Sequence, residues 1–191
     1  MSWTAAWEWQ TLFAVDDELI PRAVNEFRGP VHEHQRRWLV PGKRHLDLSL
    51  VGGETVRLRV LGAEKGDLQL WRSRCYSHSD GERLVKDLAD LGLLPTDAPF
   101  DGWSRLEESL RVRHPRLVTI SLEQSVSEWS FADCRFTHGR FVAGGQRSHL
   151  LKARAADRKV LERTLAPRLL GLYPACDSVR ALLDLVQRAR I

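Results

Sequence analysis

Two short segments of this 191-residue chain bring arginines to alternate positions, Arg57-Leu58-Arg59 and Arg111-Val112-Arg113. Side chains at i and i+2 of a strand leave on one face, so each pair would aim two guanidinium groups the same way. Val56, Leu58 and Val60, or Leu110 and Val112, take the opposite face. A guanidinium offers a planar fork that binds phosphate or carboxylate with two hydrogen bonds. A solvent-facing sheet also carries charge, but it usually mixes signs, because adjacent like charges repel. Arg-x-Arg without an interleaved carboxylate therefore points to an anion site. Arg72/Arg74 and Lys152/Arg154 repeat the spacing. Leu68 and Leu70 share the nominal face of Arg72/Arg74, a conflict that only a bulge or a strand end removes.

Other chemistry has thinner support. His32-x-His34 has metal-ligand spacing but no third ligand nearby, so surface histidines are the simpler reading. His138 and His149 sit among later basic strands, where they are either anion contacts or surface residues. No Gly-x-Ser-x-Gly nucleophile turn occurs, and no glycine-rich phosphate loop precedes a helix. Trp7 and Trp9 read as core rather than as a base-stacking platform. The three cysteines, Cys75, Cys134 and Cys176, are widely separated and odd in number, and read as reduced packing residues.

The elements that must position these residues follow from periodicity. Trp7–Phe13 alternates Trp7, Trp9, Thr11 and Phe13 against Glu8, Gln10 and Leu12, a strand pattern. Asp16-Asp17-Glu18 is an acidic helix start, with Pro21 in the first turn, Val24 and Phe27 on the apolar face and Gly29-Pro30 ending it. Val31–Leu50 reads as two strands joined at Pro41-Gly42. Thr55–Val60 and Leu68–Tyr76 form a hairpin. A helix over Asp80–Leu91 stops at Gly92, and 95–102 is a loop. Strands are expected at Leu106–Arg113, Leu117–Val126, Cys134–Val142 and His149–Arg154, and helices at Asp157–Leu170 and Ser178–Ala189. Eight or so short strands with helices gathered after them indicate a single antiparallel α+β domain over residues 1–191. DGERLVKDLADLGLLP at 80–95 is echoed by DRKVLERTLAPRLLGLYP at 157–174, each after a strand carrying two basic residues. That echo suggests a two-half pseudo-repeat.

Composition narrows the function classes. Hydrophobic residues at 43% and charged residues at 28% are globular values. No apolar run is long enough to span a bilayer, and Met1-Ser2-Trp3-Thr4 lacks a basic and apolar leader. A cytoplasmic location and no membrane partner are therefore expected. Residues 1–95 hold 13 Lys and Arg against 14 Asp and Glu, while 96–191 hold 16 against 11, giving the net +4. The basic second half admits an RNA- or protein-interaction module, although nucleic-acid binders usually concentrate more charge.

The order of elements resembles the CYTH superfamily of triphosphate tunnel proteins, which includes adenylate cyclases, thiamine triphosphatases and inorganic triphosphatases. The resemblance rests on a first strand, a short acidic helix and an extended segment ending Arg44-His45-Leu46-Asp47-Leu48-Ser49-Leu50. Val56-Arg57-Leu58-Arg59-Val60 and Leu68-Gln69-Leu70-Trp71-Arg72 look like the family's basic strands, and Arg111-x-Arg113 like its later basic pair. It implies an antiparallel barrel of about eight strands, helices packed outside, with a polar interior that grips a triphosphate. It also implies Mg²⁺ or Mn²⁺ held by a Glu-x-Glu-x-Lys strand. Here the equivalent is Glu8-Trp9-Gln10-Thr11-Leu12, or Glu33-His34-Gln35-Arg36-Arg37, each with Gln at the middle position. An amide carries no charge to offset a hard cation, which leaves Glu8, with Glu123 as a further carboxylate, to hold a metal. The expectation is a phosphate-rich ligand (triphosphate, polyphosphate or nucleotide) bound by Arg57, Arg59, Arg72, Arg74, Arg111, Arg113, Lys152 and Arg154. The alternatives are a metal-dependent triphosphate hydrolase and an interaction module.

Overall fold

A computed structural model describes residues 2–13, 25–143, 146–166, 175–176 and 181–182. Its strands are β1 (Thr4–Phe13), β2 (Asn25–Leu39), β3 (Leu46–Val51), β4 (Thr55–Lys65), β5 (Leu68–Tyr76), β6 (Val118–Phe131), β7 (Cys134–Ala143) and β8 (Gln146–Ala155). The helices are α1 (Gly81–Asp90), α2 (Trp103–Arg113) and α3 (Arg158–Leu165). The strands close into an antiparallel barrel in the order β1-β5-β4-β3-β2-β6-β7-β8. The fold is α+β, as the strand-rich pattern indicated. No described helix is long and apolar enough to cross a membrane.

Tight turns make the meanders possible. Gly52 and Gly53 (φ 61° and 76°) close β3–β4, and Ala132 and Asp133 (φ 49° and 61°) close β6–β7. Left-handed values at both central residues match the twist of a two-residue hairpin at Ala132-Asp133, and Gly52-Gly53-Glu54 makes a three-residue loop between paired Val51 and Thr55. Pro41 and Gly42 (φ 85°) turn β2 into β3, with Lys43 N–H donating to Val40 O at 3.0 Å.

The apolar core lies mainly outside the barrel wall. Trp38, Leu48, Leu50, Val56, Leu58 and Tyr76 point outward, where Leu84, Val85 and Leu88 of α1 and Leu106 and Leu110 of α2 cover them. On the other side Trp9, Trp129, Phe136, Leu151 and Ala153 meet Leu161 and Leu165 of α3. Burying each such large side chain stabilises the fold by roughly 1.5–3 kcal/mol. Trp7 and Trp9 thus belong to the shell beneath α3. α1 ends in a Schellman turn, Gly92 (φ 69°) placing Leu93 N–H 2.8 Å from Leu88 O. Asp157 caps α3 by accepting from Lys159 N–H at 2.7 Å.

Three expectations are corrected. The strand over Leu106–Arg113 is helix α2. Leu106 and Leu110, four apart, are buried, Glu107 pairs with Arg111 at 2.8 Å, and Val112 is 79% exposed. The alternating reading had put Val112 inward with Leu110. The helix expected to end at Gly29-Pro30 does not reach them, because β2 runs unbroken from Asn25. Register shifts between Asn25 and Arg28 and between Arg28 and Val31 accommodate the proline as bulges. The start of that helix, at 16–24, lies outside the described residues. So does most of the expected helix at 178–189. Finally, the repeat holds for the strand–helix succession, since β5 and β8 both flank β1 and precede α1 and α3. It fails for facing: Arg72 and Arg74 point outward, Lys152 and Arg154 inward. A slip of one residue reverses every side chain of a strand.

Candidate anion-binding tunnel

Cross-strand partners share a face, so register carries one inward set around the barrel. Glu8 lies opposite Gln69 and Arg154, and Gln10 opposite Lys152. Arg59 lies opposite Asp47 and Ser73, and Arg57 opposite Ser49 and Cys75. Arg37 lies opposite Ser49 and Ile120. The barrel interior thus holds Arg37, Arg57, Arg59, Arg135, Lys152 and Arg154 with the carboxylates Glu8, Glu33, Asp47 and Glu128.

These groups hold one another in place. Arg59 donates one nitrogen to Glu8 Oε2 and the other to Asp47 Oδ2, the latter at 3.2 Å. Lys152 Nζ is 3.7 Å from the same Glu8 oxygen, and Arg37 Nη1 is 3.6 Å from the same Asp47 oxygen. The Arg59 guanidinium also sits over the Trp71 ring, 4.5 Å from its centroid. Arg37 Nε donates to Gln35 Oε1 at 3.3 Å, and Gln35 and Gln124 both donate to Glu33, at 3.0 and 3.2 Å. Such a relay fixes rotamers that would otherwise be free.

The surrounding cations keep Glu8 and Asp47 ionised despite burial. Burial opposes ionisation of Glu8, but Lys152, Arg59 and Arg154 outweigh it and hold its carboxyl below the usual range. Asp47 follows the same pattern, with Arg37 and Arg59 overcoming burial. Burial and then Arg59 pull Lys152 down to about 8, against the attraction of Glu8 and Asp47. Burial and the neighbouring Arg135 also work against the charge on Arg154. Arg135 and Arg154 face each other across β7 and β8 beside an open recess of about 580 Å³ at the barrel mouth. Like charges directly opposite cost stability unless something of opposite sign lies near. Further in, Gln10 Oε1 and Nε2, Arg37 Nη1 and Asp47 Oδ1 are buried without hydrogen-bond partners among the described residues. Buried polar atoms are seldom left so.

The other end is apolar. Leu39, Ile120, Leu122 and Phe141 are buried there with Leu182, and Leu12 and Leu150 pack against them. By register Leu12, Leu39, Ile120, Leu122, Phe141 and Leu150 all point into the barrel.

The structure therefore brings Arg57, Arg59, Lys152, Arg154 and Glu8 together and leaves the other expected residues elsewhere. Arg72 is exposed on the outer face of β5, and Arg74 is bound to Asp87 of α1 at 2.7 Å. Arg111 and Arg113 lie on α2, outside the wall, where Arg111 bonds Glu107 and Thr119. Glu123 points outward with His34, its partner across β2 and β6. His32 and His34 line a surface recess of about 640 Å³ with Glu123, Arg140 and Arg147. His138 and His149 are buried on the outer face, Nε2 of one 3.1 Å from Nδ1 of the other. Sequence reasoning missed Arg37 and Asp47. Their signal was present in the spacing Glu33-x-Gln35-x-Arg37 and in Leu46-Asp47-Leu48-Ser49-Leu50, the second of which alternates apolar with polar residues.

No protein-family profile matches the chain, and no curated protein does. Solved structures do resemble it. The PH1819 protein of Pyrococcus horikoshii OT3 aligns over 93% of this chain and 98% of its own, at 12% identity and a TM-score of 0.52. HpAC1 of Hippeastrum, for which a dominant triphosphatase activity is described, aligns over 86% of each chain at 8% identity and a TM-score of 0.47. The bh2851 protein of Bacillus halodurans covers 84% of this chain and 88% of its own, at 13% identity and a TM-score of 0.44. With its closed eight-stranded wall, outer helices and charged interior, the chain has a CYTH-like tunnel fold.

Proposed function

We propose that the tunnel binds a phosphate-rich anion, a triphosphate or polyphosphate, through Arg37, Arg57, Arg59, Lys152 and Arg154. The observation that carries this reading is an interior in which the cations, Arg135 among them, outnumber the carboxylates Glu8, Glu33, Asp47 and Glu128 among the described residues, with buried donors left over. The carboxylates orient the cations and are fewer than they are. An extended polyanion supplies the missing charge and accepts from Gln10 Nε2 and Arg37 Nη1. The phosphate class also matches what the CYTH resemblance implies.

The Mg²⁺ or Mn²⁺ implied by that resemblance fits these residues poorly. Glu8 and Asp47 already contact two cations each. No three His, Cys, Asp or Glu side chains converge as metal ligands among the described residues. Gln10 stands where a second carboxylate of the strand would stand. The reading is therefore one of binding rather than turnover. Calorimetry and thermal shift with tripolyphosphate at low salt test it. A ligand of the native state alone raises the melting temperature by mass action. Binding is expected at micromolar to low-millimolar concentration. No heat and no shift with any polyphosphate would remove the anion site.

A further inference from the structure

We infer that the tunnel takes its polyphosphate free of metal, with Arg37, Arg59 and Lys152 standing where a divalent ion would neutralise the phosphates. This rests on the anion-binding reading above and narrows its ligand to the uncomplexed anion.

Glu8 Oε2 is shared between Arg59 and Lys152, and Asp47 Oδ2 between Arg59 and Arg37. A divalent ion binds carboxylate oxygen at roughly 2.0–2.6 Å. On either oxygen it would sit against two cations that the same oxygen already attracts. Coulomb repulsion is poorly screened in a partly dry interior, so the ion would have to expel a guanidinium or the ammonium. Arg59 is held on both sides by Glu8 and Asp47 and lies over the Trp71 ring.

The oxygens left over do not make a hard-ion site. They are Asp47 Oδ1 and the neutral Gln10 Oε1, one charged donor where Mg²⁺ demands near-octahedral oxygen. The leftover donors, Gln10 Nε2 and Arg37 Nη1, suit a phosphate oxygen and are useless to a cation. The cations gathered around Glu8 and Asp47 also match a bare polyphosphate better than its magnesium complex, in which two charges are already cancelled. Metal in solution would then compete with the protein for the ligand.

The test titrates tripolyphosphate into the full chain by calorimetry, once with EDTA and once with magnesium in excess of the ligand. Binding is expected in EDTA and at least about tenfold weaker in magnesium, a difference of ~1.4 kcal/mol. Equal or tighter binding in magnesium overturns the inference while leaving the anion site standing. No binding in either condition overturns the anion site itself, and the inference with it. A second readout follows free Mn²⁺ by its electron paramagnetic resonance signal. Adding the protein alone should leave that signal unchanged, and loss of signal at stoichiometric protein overturns metal-free binding directly.

Discussion

Arg59 and Glu8 come from strands that do not pair, β4 and β1 with β5 between them, yet they form a buried ion pair inside the barrel. A pair removed from water is costly to break from one side, because the partner stays buried and less compensated. Arg59→Met and Glu8→Gln should each destabilise the fold. The double variant should lose less than the sum, with a coupling of about 0.5–3 kcal/mol in urea unfolding. Strict additivity would mean that the two side chains do not hold each other.

Facing decides which arginines matter to the ligand. Arg57→Ala and Arg154→Ala should each weaken tripolyphosphate by about tenfold or more, since a charge-assisted bond contributes ~1.5–3 kcal/mol. Arg72→Ala, Arg111→Ala and Arg113→Ala, all outside the wall, should change affinity less than about twofold. Equal losses from both groups in calorimetry would trace binding to diffuse surface charge.

Lys152 sets a pH dependence. Its folded value of about 8 lies below the unfolded value of ~10.4. Between the two the unfolded chain binds more protons, so the ligand-free fold gains stability as pH rises through that window. Anion affinity runs the opposite way and falls as the ammonium is lost above pH ~8. Tripolyphosphate also ionises in this range, so the comparison with Lys152→Arg isolates the protein's share. The arginine variant should hold its affinity to higher pH, and parallel profiles would exclude Lys152 from the grip.

Turnover should be absent. Phosphoryl transfer depends on cations positioned to stabilise the transition state, and the donor set offers a metal little purchase. Phosphate release from tripolyphosphate, ATP or thiamine triphosphate with Mg²⁺ or Mn²⁺ is expected at background. Robust release abolished by Glu8→Ala would establish an enzyme. Rebuilding the strand motif meets an obstacle at its third position. Leu12 packs against Leu39, Ile120, Leu122, Phe141 and Leu150, so Leu12→Lys would bury an ammonium among hydrocarbon and should cost several kcal/mol of stability. Gln10→Glu alone is the cleaner variant.

Strand periodicity made the barrel's pieces legible, and hairpin turns at Gly52-Gly53 and Pro41-Gly42 were readable from composition. The arginine-rich interior was half legible. Alternation shows that Arg57 and Arg59 share a face, but it does not say which face turns inward. That depends on closure of β1 onto β8, a contact between residues more than a hundred positions apart. Arg72/Arg74 and Lys152/Arg154 look alike in sequence and differ by one residue of register. Arg111-Val112-Arg113 misled because four residues fit a period of two as well as a helical turn, and only burial of Leu106 with Leu110 separates them. Asp47 stands alone between Leu46 and Leu48, and Arg37 adjoins Arg36, so neither belongs to an alternating basic pair.

The apolar end has a consequence for shape. On the proposed reading, a barrel filled at that end by Leu39, Ile120, Leu122, Phe141 and Leu182 is a well, which a linear anion would enter tip first and leave by reversing. Traffic through a well is last in, first out. Terminal phosphates would reach Arg59 and Lys152, while the interior units of a long polymer, or any unit of a ring, would stop at the rim beside Arg135 and Arg154.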